Sequence, residues 1–172
     1  MDDLEARIAR AVSEGRQARS DYYASVDLPD EQKLGPPVDE TQLQALEKRL
    51  GRKLPRSYRQ FLSMHDGWRM INGALDLLSV GEILAGPRHD KVAKWQQEML
   101  RHGDTVVGNA LVIAASDITP TKLLLDPDTL TDGGEWLLIR DHKGPEEAYP
   151  SFLDWLEKSA QGFRELLASG EQ

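Results

Sequence analysis

The chain has 172 residues, of which 40% are apolar and 29% charged, and its net charge is −8. This composition predicts one folded domain with a hydrophobic core, and the negative charge argues against nucleic-acid binding, which needs an excess of Lys and Arg. The absence of Cys excludes disulfides, thiol nucleophiles and zinc-thiolate sites, and it is typical of a reducing compartment.

The first residues, MDDLEARIAR, carry acids where a secretory signal needs a basic start and an apolar run. Nowhere in the chain do about 18 apolar residues follow one another. We therefore expect a cytoplasmic protein that does not enter a membrane.

Residues 2–24 are predicted to form a helix, because Leu4, Ile8 and Val12 recur at helical spacing among charged residues. The apolar stripe thins out beyond Gly15, so we expect this helix to contribute least to the core.

The next segment, residues 27–38, contains three prolines and a glycine and is predicted to be a linker. We therefore divide the chain into an N-terminal helix with its linker, residues 1–38, and a main domain, residues 39–172.

The main domain begins with two predicted helices. Asp39 can cap the first, with Gln42 completing a capping box, and Gly51 supplies a left-handed stop. Pro55 suits the first turn of the second helix, which is predicted to end at Gly67. Their apolar faces are formed by Leu43, Leu46 and Leu50 on the first helix and by Leu54, Tyr58, Phe61 and Leu62 on the second. We expect a helical hairpin covered by a sheet.

Four short apolar segments bounded by turn residues are predicted strands: 75–80, 111–116, 121–126 and 135–140. Residues 90–103 are predicted to form a helix or a structured insertion, and a closing helix should start at Ser151. The pattern indicates an α+β fold with a mixed, mainly antiparallel sheet of about four to six strands, flanked by the hairpin and the closing helix. The uncovered sheet face would be the natural binding surface.

In this order, the elements resemble the SUKH superfamily, which includes fungal cell-wall-assembly regulators and many bacterial immunity proteins that neutralise toxins. The resemblance rests on Gly51, LPRSYRQFL at 54–62 and HDGW at 65–68, followed by LDLLSVGEI at 75–83 and SFLDWLEKS near the end. It implies a SUKH-like fold and a protein-binding role that uses no cofactor.

Trp68 lies beyond the predicted glycine stop, and two interpretations of it stay open. It either packs against the sheet or anchors a partner, because a Trp on a turn is a good interface residue.

Residues 126–147 hold seven acids against Arg140 and Lys143, so −5 of the net charge falls on this segment. The acids are Asp126, Asp128, Asp132, Glu135, Asp141, Glu146 and Glu147. The segment is a solvated hairpin loop, a calcium loop or an acidic docking face for a basic partner. The calcium interpretation is the weakest, because Leu130 and Thr131 stand where an EF-hand needs a ligand and a glycine.

Under the docking interpretation, the candidate partner-binding residues are Trp68, Asp126, Asp128, Asp132, Glu135 and Asp141. Residues 51–100 have the opposite asymmetry, +3, and either face solvent, bind an anion, or meet the acidic segment within one chain or in a homodimer.

No catalytic residue, metal site or cofactor site is predicted. Gly-x-Ser-x-Gly, Gly-x-Gly-x-x-Gly and Walker patterns do not occur in the sequence. The histidines, His65, His89, His102 and His142, have no His-x-x-x-His spacing.

The leading hypothesis is a cytosolic, non-catalytic immunity protein that neutralises a basic toxin domain through an acidic face. The alternatives are a regulatory scaffold like the fungal members and a metal-dependent enzyme that uses the acids of residues 126–135.

Overall fold

The structure is a computed structural model that describes residues 3–170. Within this range the helices are α1 (Asp3–Ser25), α2 (Glu40–Leu50), α3 (Arg56–Met64), α4 (Val80–Leu84), α5 (Pro87–Arg101), α6 (Thr105–Asn109) and α7 (Phe152–Ser169). The strands are β1 (Lys33–Leu34), β2 (Trp68–Asn72), β3 (Leu75–Leu77), β4 (Leu111–Ser116), β5 (Lys122–Leu130), β6 (Trp136–Asp141) and β7 (Glu147–Tyr149). No helix in this range is both long enough and apolar enough to cross a bilayer.

The strands form one sheet in the order β1 to β7, and every pair of neighbours is antiparallel. The predicted α+β class is confirmed. The described sheet has seven strands, whereas about four to six were expected. The strands that the sequence pattern missed are β1, β2 and β7. Two of these are edge strands of two or three residues, and such short strands carry too little alternation to stand out in a sequence.

Successive residues of the central strands face opposite sides of the sheet. On β5, Leu123 and Leu125 join the large core beneath α1, α2, α3 and α7, whereas Leu124 joins a smaller cluster beneath α5 and α6. On β6, Leu138 belongs to the large core and Ile139 to the smaller cluster. The expectation of an uncovered sheet face is therefore wrong over β4 to β6, since α5 and α6 cover it.

Helix α1 lies deeper in the core than its sequence pattern indicated. Ile8 is fully buried in the large core, and Arg19 is fully buried as well. Arg19 stacks between Trp68 and Phe163, with its guanidinium carbon 5.0 and 4.9 Å from the two ring centroids. The expectation that this helix contributes least to the core is wrong, because a stacked cation takes the place of an apolar side chain.

The capping predictions for α2 are confirmed: Asp39 and Gln42 form a capping box, and Gly51 is left-handed. Helix α3 ends at Met64 rather than at Gly67. Gly67 instead makes the turn into β2 with a φ of +85°, where a Cβ would lie 2.6 Å from the Leu77 carbonyl oxygen.

The predicted strand 75–80 is divided in the structure. β3 ends at Leu77, and α4 then begins at Val80 with a capping box formed by Ser79 and Glu82. This local hydrogen bonding outweighs the apolar pattern that favoured a longer strand.

Candidate partner-binding site

The end of the β5–β6 hairpin forms a ridge between two depressions in the surface. We call residues 127–135 the tip. On one side Pro127, Asp128 and Trp136 line a cleft of about 500 Å³, which is mostly apolar. On the other side Asp132 and Glu135 line an acidic groove of about 420 Å³. The tip therefore contributes to two cavities of different chemistry.

The acidic segment is divided between the two ends of β6. Asp132 and Glu135 precede this strand, whereas Asp141 is its last residue. A strand of this length spans roughly 20 Å at about 3.3 Å per residue. The structure therefore does not bring Asp141 together with the acids of the tip.

Bases lie close to the acids at the end of β6 and in β7. Asp141 is paired in register with Lys122 on β5, and Glu147 lies 3.4 Å from the guanidinium of Arg140. Burial lowers the pKa of Lys122, and the charge of Asp141 acts in the opposite direction. This end of the segment therefore presents less uncompensated negative charge than its sequence indicated.

Asp126, a predicted partner-binding residue, is buried, with 5% of its surface exposed. Its Oδ1 accepts a hydrogen bond from the Asp128 N–H at 3.0 Å, and its Oδ2 accepts one from the Thr129 hydroxyl at 2.7 Å. Such local bonds are typical of turns, so Asp126 shapes the start of the tip rather than facing a partner.

Glu135 connects the tip to helix α3. Its carboxylate accepts hydrogen bonds from the Ser57 N–H and the Ser57 hydroxyl, both at 2.9 Å. Ser57 lies in the first turn of α3, and Pro55, at the N-cap, makes no side-chain capping bond. Glu135 therefore satisfies a free N–H of that turn and places negative charge at the positive end of the helix dipole.

Asp128 and Asp132 are the predicted site residues most open to solvent. The Asp128 side chain is 73% exposed and lies 3.6 Å from the guanidinium of Arg52. Asp132 is also exposed and has no ion-pair partner among residues 3–170. These two carboxylates flank the top of the tip, where a partner can reach both.

Asp154 is a groove residue that the sequence did not indicate. It lies in the first turn of α7, which brings it to the groove beside Asp132 and Glu135. It lies seven residues beyond the end of the acidic segment 126–147, so the charge pattern of that segment does not include it. Arg7, the cation in the groove lining, is 2.6 Å from Glu157.

Trp68 is fully buried in the core, so its side chain does not anchor a partner at the surface. Its indole nitrogen donates a hydrogen bond to the Gln32 side chain at 3.2 Å. Of the two interpretations that the sequence left open, the structure agrees with the one in which Trp68 packs in the core.

Within residues 3–170, no three His, Asp or Glu side chains are grouped so that they could hold a metal ion. Asp126 and Glu135 already accept hydrogen bonds from protein N–H and O–H groups, as described above. These contacts give no support to a calcium loop or to a metal-dependent enzyme built on the tip.

The basic stretch 51–100 uses several of its charges within the protein. Arg59 lies 2.6 Å from Glu40 and 3.1 Å from Glu47, and Arg52 donates to the Pro127 carbonyl at 2.7 Å. Arg52 also lies 3.6 Å from Asp128. The basic and acidic stretches therefore meet within one chain, which is one of the interpretations that the sequence left open.

Comparison with curated protein sequences finds no match. A model of the SMI1 / KNR4 family (SUKH-1) matches residues 37–158, which include the whole tip and most of the sheet. It leaves out α1 and the last turns of α7. Because the match covers most of the chain and agrees with the motifs around Gly51, 54–62 and 65–68, this protein belongs to the SMI1 / KNR4 family (SUKH-1).

Proposed function

We propose that the protein is a cytosolic immunity protein, a non-catalytic module that binds a basic toxin domain and covers its functional surface. The observation that carries this proposal is the acidic groove beside the tip. Asp132, Glu135 and Asp154 line it, while its cation, Arg7, already pairs with Glu157. The groove can therefore receive a Lys or Arg side chain from a partner.

The carboxylates retain the capacity to accept such a side chain. An ionised carboxylate has about four acceptor positions. Glu135 uses two of them for Ser57, and Asp154 accepts from the Ser151 hydroxyl at 2.8 Å. The overall charge of −8 adds long-range attraction for a basic partner and accelerates its encounter. Toxins that attack nucleic acid need basic surfaces, so their inhibitors gain from acidic ones.

The test screens the products of any adjacent genes for a basic protein that binds the wild type, and then measures the association rate of that protein with two double variants. Asp128→Lys with Asp132→Lys changes the exposed acids of the tip and leaves Glu135 in place to cap α3. Glu31→Lys with Glu98→Lys is the matched control, since it makes the same change in net charge at exposed acids elsewhere.

The tip variant should associate at least about 10-fold more slowly at low salt, and the difference should shrink as salt screens the charges. The control should change the rate much less. Equal slowing by both variants would indicate general charge and contradict the tip as the site. Absence of any complex with the folded wild type would contradict the immunity role.

A regulatory scaffold is the second candidate, favoured by exposed apolar side chains away from the tip. Ile118, in the β4–β5 turn, is 82% exposed, and Leu100 in α5 and Val106 in α6 are 41% and 48% exposed. A scaffold uses several surfaces for several weak partners. Light scattering would distinguish it, because an immunity protein should form one complex of fixed stoichiometry.

A further inference from the structure

The cleft on the other side of the tip is large and apolar enough to receive side chains from a partner. It lies between α2, α4, α5 and the central strands, and its volume is about 500 Å³. Its apolar lining includes Leu46, Leu50, Leu84, Val92, Val112 and Trp136. Specific sites for small ligands and side chains have this size and this mainly apolar lining.

Two acids in the cleft lining lie next to arginines. Glu82 accepts hydrogen bonds from the N–H and the hydroxyl of Ser79, and its other oxygen lies 3.6 Å from both Arg69 and Arg88. Asp128 faces Arg52 at 3.6 Å. Within the cleft an arginine therefore lies against each carboxylate, while Asp128 also keeps an exposed side towards solvent.

Arg49 is the lining residue whose charge stays uncompensated. It is exposed in the last turn of α2, and it has no ion-pair or side-chain hydrogen-bond partner within the described part of the chain. A guanidinium at the edge of an apolar cleft is complementary to a carboxylate attached to an apolar group.

We propose that the cleft docks a short partner segment in which aliphatic side chains stand next to a carboxylate. This inference rests on the proposed function as a protein-binding module. A partner would then place basic side chains in the acidic groove and an acidic, aliphatic segment in the cleft, with the tip between them. Opposite charges on the two sides of the tip would set the partner's orientation and reject the reversed one.

The test titrates the ¹⁵N-labelled full chain with acetyl-Leu-Leu-Glu-amide and, separately, with acetyl-Leu-Leu-Lys-amide, followed by NMR. The Glu peptide should cause saturable shifts at Leu84, Val92 and Val112, and it should bind about 5-fold more tightly than the Lys peptide, as for one exposed ion pair. Shifts located elsewhere, no saturable shifts, or equal binding of both peptides would overturn the inference.

Three variants test whether Arg49 and the cleft are responsible for peptide binding. Arg49→Gln should remove the preference for the Glu peptide, and Arg101→Gln, an exposed arginine in the last turn of α5, should keep it. Ala93→Phe, which adds a ring inside the cleft, should abolish binding of both peptides. Preference kept in Arg49→Gln, or binding kept in a folded Ala93→Phe, would contradict the proposal.

The peptide titration is independent of the toxin experiment. If the peptides fail to bind while the toxin binds, only the cleft inference is lost. If the toxin fails to bind while the Glu peptide occupies the cleft as expected, the immunity role is lost and the docking site stands.

Discussion

The two faces of the sheet are covered in different ways. The layer formed by α1, α2, α3 and α7 buries many large apolar side chains, including Phe61 and Phe152, against the sheet. The opposite cluster has five buried residues in the described chain, and no residue of α5 is fully buried. Burial of apolar surface is the main source of stability. The first layer should therefore contribute most of the free energy of unfolding, and the second layer should unfold locally more often.

The buried Arg19 and the partly buried Arg88 show the same contrast. On the first face, Arg19 donates to the Gly15 carbonyl at 2.8 Å, the Ser159 hydroxyl at 2.8 Å and the Ile71 carbonyl, but it has no carboxylate partner in the described chain. Burial lowers its pKa to about 10.

On the second face, Arg88 lies 2.7 Å from Asp76 and 3.1 Å from Asp117. Burial opposes its charge, but hydrogen bonds to these two acids raise its pKa overall. One layer therefore accommodates its arginine by aromatic stacking and carbonyl bonds, and the other holds it with ion pairs.

The largest expected effect comes from Arg19→Ala. The change leaves the Ile71 carbonyl without its donor and opens a gap between Trp68 and Phe163, so the free energy of unfolding should fall by about 3 kcal/mol or more. Urea denaturation measures it. Arg10→Ala, an exposed arginine of α1, is the control and should change stability by less than about 0.5 kcal/mol. A loss no greater than the control's would mean that Arg19 is not a core element.

Trp95→Ala should have an intermediate effect that is confined to the second layer. Its partly buried ring packs on the smaller cluster, and the Lys122 ammonium lies 4.2 Å from the ring centroid. We expect a loss of about 1–2 kcal/mol. Hydrogen exchange should show lower protection in α5 and α6 and unchanged protection in α1 and α7. Equal loss of protection in both layers would contradict the difference between the two faces.

The smallest effect at neutral pH is expected for Tyr58→Phe. The Tyr58 hydroxyl is buried and has no hydrogen-bond partner among residues 3–170, so its removal should change stability by less than about 1 kcal/mol.

The same substitution should matter more in alkali. Burial, and then the charge of Asp66, raise the pKa of Tyr58 above its usual value. Above pH of about 10, the unfolded chain loses this proton while the folded protein keeps it, so wild-type stability should fall by up to about 1.4 kcal/mol per pH unit from this group. The variant lacks this contribution and should fall less steeply. Identical profiles between pH 9 and 11 would show that Tyr58 ionises as readily in the folded state.

Short-range patterns in the sequence determined both caps of α2, the start of α7 and the central strands. Asp39 with Gln42, Gly51, and Ser151 at the start of α7 act on N–H and C=O groups a few residues away, so their roles could be predicted without the fold. The apolar face of α3 and the strands β4, β5 and β6 were predicted for the same reason, because helical and strand periodicities are local.

Tertiary structure decided which of these side chains are available for function. Glu135 bonds to Ser57, 78 positions away, and Asp154 joins the groove from another helix, so neither role has a local signal. In the sequence Gly15 only marked the point beyond which the apolar stripe of α1 thins out. In the structure a Cβ there would lie 2.7 Å from Arg19 Nη1, so the glycine makes room for that side chain. The separation of the acids by β6 likewise depends on where the chain pairs. The sequence by itself determined the net charge of this protein. Tertiary structure decided which charged side chains are exposed to a partner, because burial depends on neighbours that are distant in sequence.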